Sequence, residues 1–267
     1  SIMIRRLKKD IYQDLPAVDR RPIYHELSAK AVKAYKKVLA GVYDLIEDYH
    51  PGAEGASKKV TNILAQIQRL KMVSAIDKAQ RTAELAEELY EQTDESEHRK
   101  VIIFTQYKGV AHKIARLLGK HALSFVSRRG SEFVTADANE RDRLVQQFQS
   151  DSSVKYLVVT EKTTKEGHNI TAAGHVIFND LFWTPAGHDQ AIGRAYGRIS
   201  DMHGVDAYFI IGTLADNAES IEEWIWDLLG FKQGIIDEVV EGVENTRDAS
   251  IAMMLIEKVR EAMGAHR

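Results

Sequence analysis

The chain has 267 residues, 44% of them hydrophobic, with 36 Lys and Arg against 39 Asp and Glu and a formal net charge of −3. That length can bury a substantial core in one or two domains, and the slight acidity argues against a protein that coats nucleic acid indiscriminately. There is no cysteine, which excludes disulfides and thiolate-held zinc. Neither a run of about 18 apolar residues nor a secretory leader is visible, so an intracellular protein without a membrane span is expected.

In chain order, the opening Ile4-Arg5-Arg6-Leu7-Lys8-Lys9 is basic and has no apparent partner element, as at a cut edge or in an exposed arm. Ser28 is an N-cap candidate for a helix reaching about Tyr49, with Ala31, Tyr35, Val38, Val42 and Leu45 at helical spacing. Pro51-Gly52 and Gly55 break it. Val60, Ile63, Leu64, Ile67 and Leu70 trace a second amphipathic helix, and Ala79 to Tyr90 a third. These stripes are expected to face a core.

Lys100 opens an alternating pattern. Val101 to Thr105 is an apolar run of strand length that exits through Thr105-Gln106-Tyr107, and a helix over about Gly109–Lys120 and a short strand at Leu123–Val126 follow. Asp137 starts a helix carrying Arg141, Leu144, Val145 and Phe148. Val154 to Thr160 and His175 to Asn179 are two further apolar runs rich in β-branched residues, hence candidate buried strands. Strand, helix, strand in succession predicts right-handed crossovers and a parallel sheet.

Open α/β sheets bind ligands beyond the carboxyl ends of their strands. The loop from Thr160 lies there, with three hydroxyls (Thr160, Thr163, Thr164) and two lysines (Lys162, Lys165). Such groups contact phosphates without reading sequence. Thr105 and Gln106 could do the same, or could simply cap a strand end. His168 has no partner His or carboxylate motif to make it a catalytic base. Helical Asp189 to Arg194, with Arg198 a turn later, delivers two guanidinium groups, which suit phosphate because the planar fork of donors stays charged. Val205 to Ile211 is another strand, and helices are expected over Ser220–Leu229, Gln233–Val240 and about Arg247–Met263.

The ordered set Thr160, Gly167, Asn169, Thr171-Ala172-Ala173, Val176-Ile177, Trp183, Pro185, Gln190, Arg194 resembles motifs V and VI of superfamily 2 helicases of the Swi/Snf type. The run around Thr105 resembles motif IV, and the basic opening resembles the segment linking the two lobes of such proteins. Resemblance spans roughly Ile4 to Val243. It implies an α/β fold with a RecA-like parallel sheet flanked by helices, an N-terminal helical segment and C-terminal bracing helices. The expected division is 1–99 linker and helical segment, 100–212 RecA-like core, and 213–267 bracing helices.

The resemblance further implies the second motor lobe of an ATP-dependent double-stranded DNA translocase, with ATP hydrolysed in the cleft against an N-terminal RecA-like lobe. Arg194 and Arg198 would be the catalytic arginines, while Gly167, Asn169 and Gln190 would bind nucleotide. Thr105, Gln106, Thr160, Lys162, Thr163, Thr164 and Lys165 would face the DNA backbone. No G-x-x-x-x-G-K-[ST] and no Asp-Glu metal tetrad occurs in the chain, so the phosphate cradle and the Mg2+ site are expected on the other lobe, and the chain alone is expected to be inactive.

Three departures stand out. Thr164 and Lys165 replace the usual glycine pair, Thr184 sits where Trp-Asn-Pro is usual, and Gly197 occupies the second arginine position, with Arg198 one residue late. These keep open a noncatalytic nucleic-acid or protein-docking module that retains the fold; an RNA-directed helicase lobe is a third reading.

Overall fold

The computed structural model describes residues 18–50, 52–93, 100–166, 170–195, 204–215, 218–238 and 247–265. Gly167, His168, Asn169, Gly197, Arg198 and the basic opening lie outside them, as do the side chains of Thr164 and Lys165. The elements in order are β1 (Asp19–Glu26), α1 (Ala29–Glu47), α2 (Ala56–Gln92), β2 (Lys100–Thr105), α3 (Lys108–Leu118), β3 (Ala122–Ser124), β4 (Val126–Arg129), β5 (Glu132–Thr135), α4 (Ala138–Ser150), β6 (Tyr156–Thr160), β7 (Ala173–Phe178), α5 (Pro185–Ile192), β8 (Asp206–Thr213), α6 (Ile221–Glu238) and α7 (Arg247–Ala265).

Six strands form one sheet in the order β1-β8-β7-β2-β6-β3, and each recorded pairing within it is parallel. The three apolar runs are its centre, β7-β2-β6, as strands covered on both faces must be. Alternation divides their side chains between two cores. Ile102, Phe104, Leu157, Val176 and Phe178 point to one, with α1, α5 and α6, while Val101, Ile103, Val158 and Ile177 point to the other, with α3. Each such buried side chain contributes roughly 1.5–3 kcal/mol of transfer free energy.

The chain leaves β2 through α3, which packs on one face, and leaves β7 through α5, which packs on the other. The strand order therefore reverses between β2 and β7, and the crevice at their carboxyl ends is the topological switch point where such sheets bind ligands.

Two expectations are corrected. The second and third helices are one 37-residue helix, α2, started by Gly55 at φ 77°. Its amino half packs in the first core through Ile63, Ile67 and Leu70, and its carboxyl half in the second through Ala75, Ala79, Ala83, Ala86 and Leu89. The polar interval between Leu70 and Ala79 looks like a break, yet Lys71, Ser74 and Lys78 are buried there at 0–1% exposure. Likewise α6 runs unbroken where two helices are expected. Two elements are new: β1, a half-exposed and highly charged edge strand containing Pro22, and the antiparallel β4–β5 hairpin. Edge strands tolerate charge and proline that central strands do not.

The caps follow the sequence. Ser28 accepts from the Ala31 amide, Asp137 from Glu140 and Thr184 from Gly187. Among the described residues no helix is long and apolar enough to cross a membrane.

Candidate nucleotide and nucleic-acid interface

Asp180, two residues past β7, closes the switch point. Its carboxylate is fully buried and accepts from the Thr105 hydroxyl, from the Gln106 backbone amide at 2.8 Å and from Asn179 at 3.3 Å. Burial raises its pKa above the ordinary carboxylate range, against the opposing pull of the Thr105 hydrogen bond and of Lys71 and Lys78. Thr105 is itself 0% exposed, so its hydroxyl shapes the strand end from within.

Gln106 is half-buried and bonded on both sides. Its Oε1 accepts from Lys71 Nζ at 2.9 Å, and its Nε2 donates to Glu161 at 2.6 Å. Lys71 also donates to the Leu181 carbonyl at 2.8 Å and lies 4.3 Å from the centre of the Trp183 ring. Burial lowers the Lys71 pKa to about 8, opposed by Asp180, Glu222 and Glu161, so it is an ammonium at pH 7.

Glu161 begins a 3-10 turn, Glu161–Glu166, after β6. Thr160, the last residue of β6, and Thr163 in the turn are buried, the Thr163 hydroxyl donating to the Thr160 carbonyl at 2.6 Å, and Lys162 is exposed. The structure thus brings Thr105, Gln106, Thr160, Lys162 and Thr163 to one rim, with Gln106 and Lys162 reaching its surface.

The helix α5 starts at the Thr184 cap. Gln190 is exposed on it and Arg194, just past its end, is half-buried. The Arg194 carbonyl accepts from the Ile170 amide at 2.7 Å. That bond fastens the helix end to Ile170. Asp189, beside Gln190, is paired with Arg20 of β1. His188 is 3% exposed, accepts from the Phe182 amide through Nε2 at 2.9 Å, and stacks on the Phe182 ring. Burial pushes its pKa down to about 3, so it is a neutral imidazole whose Nε2 serves as acceptor.

At the end of α5 stand the exposed amide of Gln190 and the half-buried guanidinium of Arg194, with the neighbouring Asp189 carboxylate paired to Arg20. Such a set fits phosphate oxygens. Among the described residues no group of three His, Asp or Glu could hold a metal ion.

Arg141 of α4 is largely buried and donates to the Ala136 carbonyl at 2.9 Å. Sequence alone does not single out Lys71, Asp180, Glu161, His188 or Arg20. The available signal is a polar set, Lys71, Ser74, Lys78 and Thr82, in phase with the apolar stripe of α2.

Comparison with known proteins agrees with the fold. The family described as Helicase conserved C-terminal domain matches residues 80–199. The DNA annealing helicase and endonuclease ZRANB3 of Bos taurus is 24% identical over 91% of this chain and 21% of its own length. The putative ATP-dependent helicase/translocase YwqA of Bacillus subtilis is 29% identical over 90% of this chain and 26% of its own length. The chain therefore spans about a fifth to a quarter of these relatives. Among solved structures, the Sulfolobus solfataricus SWI2/SNF2 ATPase core in complex with dsDNA has a TM-score of 0.65 at 24% identity, covering 92% of this chain and 50% of that one. The C-terminal part of the Fun30 ATPase domain has a TM-score of 0.61 at 18% identity, covering 95% and 100%. The six-stranded parallel sheet is a RecA-like fold, and with the helicase C-terminal match over residues 80–199 it makes the chain similar to the C-terminal lobe of Snf2-type superfamily 2 helicases.

Proposed function

We propose that this lobe is the second half of an ATP-dependent duplex DNA translocase, supplying arginine to ATP hydrolysis and a loop that grips the DNA backbone. The observation that carries the reading is the Ile170–Arg194 hydrogen bond, which holds the arginine-bearing helix against the residues that follow Gly167 and Asn169. Arg194, with Arg198 beyond it, stabilises charge developing on the γ-phosphate, an effect worth about 10³ to 10⁵ in rate for arginine fingers. Gln190, Gly167 and Asn169 position the nucleotide. The phosphate cradle and Mg2+ belong to an N-terminal lobe, whose motifs this chain does not carry.

The DNA-facing surface is the rim at the ends of β2 and β6. Lys162 and Gln106 meet phosphates, Thr105, Thr160 and Thr163 shape the rim from inside, and Thr164 and Lys165 extend it. Residues 100–212 form the motor core in this reading, and 1–99 and 213–267 support it. The dsDNA-bound state of one structural neighbour and the helicase names of the relatives favour duplex DNA as partner.

Gly197 at the usual arginine position favours a second reading, a docking module that kept the fold and lost hydrolysis. Steady-state ATPase assays separate the two. Joined to its N-terminal lobe, the protein should hydrolyse ATP with stimulation by duplex DNA, and the 267-residue chain alone should hydrolyse it negligibly. Salt-sensitive duplex binding without hydrolysis in the joined protein would establish the docking module instead.

A further inference from the structure

Gln106 has two chemically different ends, and the direction in which they point is decided from behind. Lys71 Nζ offers donors only, so the amide must turn its oxygen toward it; the amino group then faces Glu161, which can only accept. Lys71 directs its remaining donors to the Leu181 carbonyl and the face of Trp183. One fully buried ammonium thereby touches the exit of β2 and the loop after β7 and, through Gln106, the turn after β6. For packing alone an apolar side chain would serve better there, because desolvating an ammonium is costly unless every donor is used.

We infer that Lys71 is a positioning residue for DNA binding: its ammonium, bonded to Gln106 and the Leu181 carbonyl, sets the alignment of the rim that carries Gln106 and Lys162. The inference rests on the reading of that rim as the DNA-facing surface. Lys71 itself touches no DNA. It fixes the Gln106 amide, and through Glu161 it fixes the turn from which Lys162 projects.

The test is fluorescence anisotropy of a short mixed-sequence duplex titrated with the 267-residue chain over a range of salt concentrations. Lys71→Met keeps the length of the side chain and removes the ammonium. It should weaken binding about tenfold and leave the slope of log affinity against log salt unchanged, because no phosphate contact is lost. Lys162→Ala should instead lower that slope by about one. Glu161→Ala breaks the same relay from its far end and should reproduce the Lys71→Met loss; it also decides the matter if Lys71→Met does not fold. In both variants the side-chain amide resonances of Gln106 should shift in the 1H–15N spectrum. Affinity within twofold of the parent in either folded variant would overturn the inference while leaving the DNA-facing rim intact, and so would a reduced salt slope in Lys71→Met, which would mark a direct contact. A parent chain that shows no salt-dependent duplex binding would overturn both the rim and the role of Lys71.

Discussion

The imidazole of His188 lies parallel to the Phe182 ring, 5.0 Å between centroids, while its Nε2 accepts the Phe182 backbone amide. Phe178 and Phe209 meet the same imidazole edge to face at 4.8 and 5.2 Å. This staple closes the loop between β7 and α5, two residues before Gln190. Because burial holds the folded pKa near 3, well below the usual histidine value of about 6.5, acid protonates the unfolded chain first. The stabilising contribution is therefore full above about pH 6.5 and is lost as pH falls toward 3. His188→Gln, which keeps an acceptor and cannot titrate, should narrow the difference in melting temperature between pH 7 and pH 4.5 relative to the parent. An unchanged difference would remove His188 as an acid-sensitive element.

A second buried relationship braces the C-terminal helix α6 against the sheet. Lys78 donates to Glu222 at 2.6 Å and to the Ile210 carbonyl at 2.7 Å, and Glu222 also accepts the Gly212 amide at 2.7 Å. Both side chains are 0% exposed. Removing one partner of a buried pair strands the other charge, at a cost of about 3–5 kcal/mol, whereas replacing both with apolar groups is often close to neutral. Lys78→Met should thus destabilise by that order in urea unfolding, and adding Glu222→Leu should recover most of the loss. An additive double variant would show that the pair is not coupled.

Gly212 sits where β8 passes beneath α2. A Cβ at this position would run into Ser74 Oγ and approach Leu27 Cδ2 to 3.0 Å. Gly212→Ala should cost about 1–3 kcal/mol by overpacking, and Ser74→Ala in the same chain should return part of it by removing the hydroxyl oxygen. Equal stability of parent and Gly212→Ala in thermal unfolding would contradict the close approach.

Much of this architecture is legible in the chain, for physical reasons that differ by element. The runs at β2, β6 and β7 are apolar because strands in the middle of a parallel sheet have no wet face, and the caps Ser28 and Asp137 announce their helices directly. β1 gives no such signal because an edge strand needs no apolar run: Asp19, Arg20, Arg21 and Pro22 are compatible with half-exposure. α2 reads as two helices because Lys71, Ser74, Lys78 and Thr82 look solvent-facing, whereas each is buried against the carboxyl edge of the sheet. At the candidate interface, Thr105, Gln106, Gln190 and Arg194 are singled out by the motif resemblance. Asp180, Lys71 and His188 are not, since their roles depend on partners supplied by the fold: Thr105 lies 75 residues before Asp180, and Leu181 lies 110 after Lys71.

The central claim, that this lobe lends arginine to a nucleotide held by another, is tested most directly by single-turnover ATP hydrolysis in the two-lobe protein carrying Arg194→Ala, with duplex affinity measured in parallel. The account predicts a fall in the hydrolysis rate of about 10³-fold or more, with DNA affinity within a few-fold of the parent. Hydrolysis at the parental rate in that variant would contradict it.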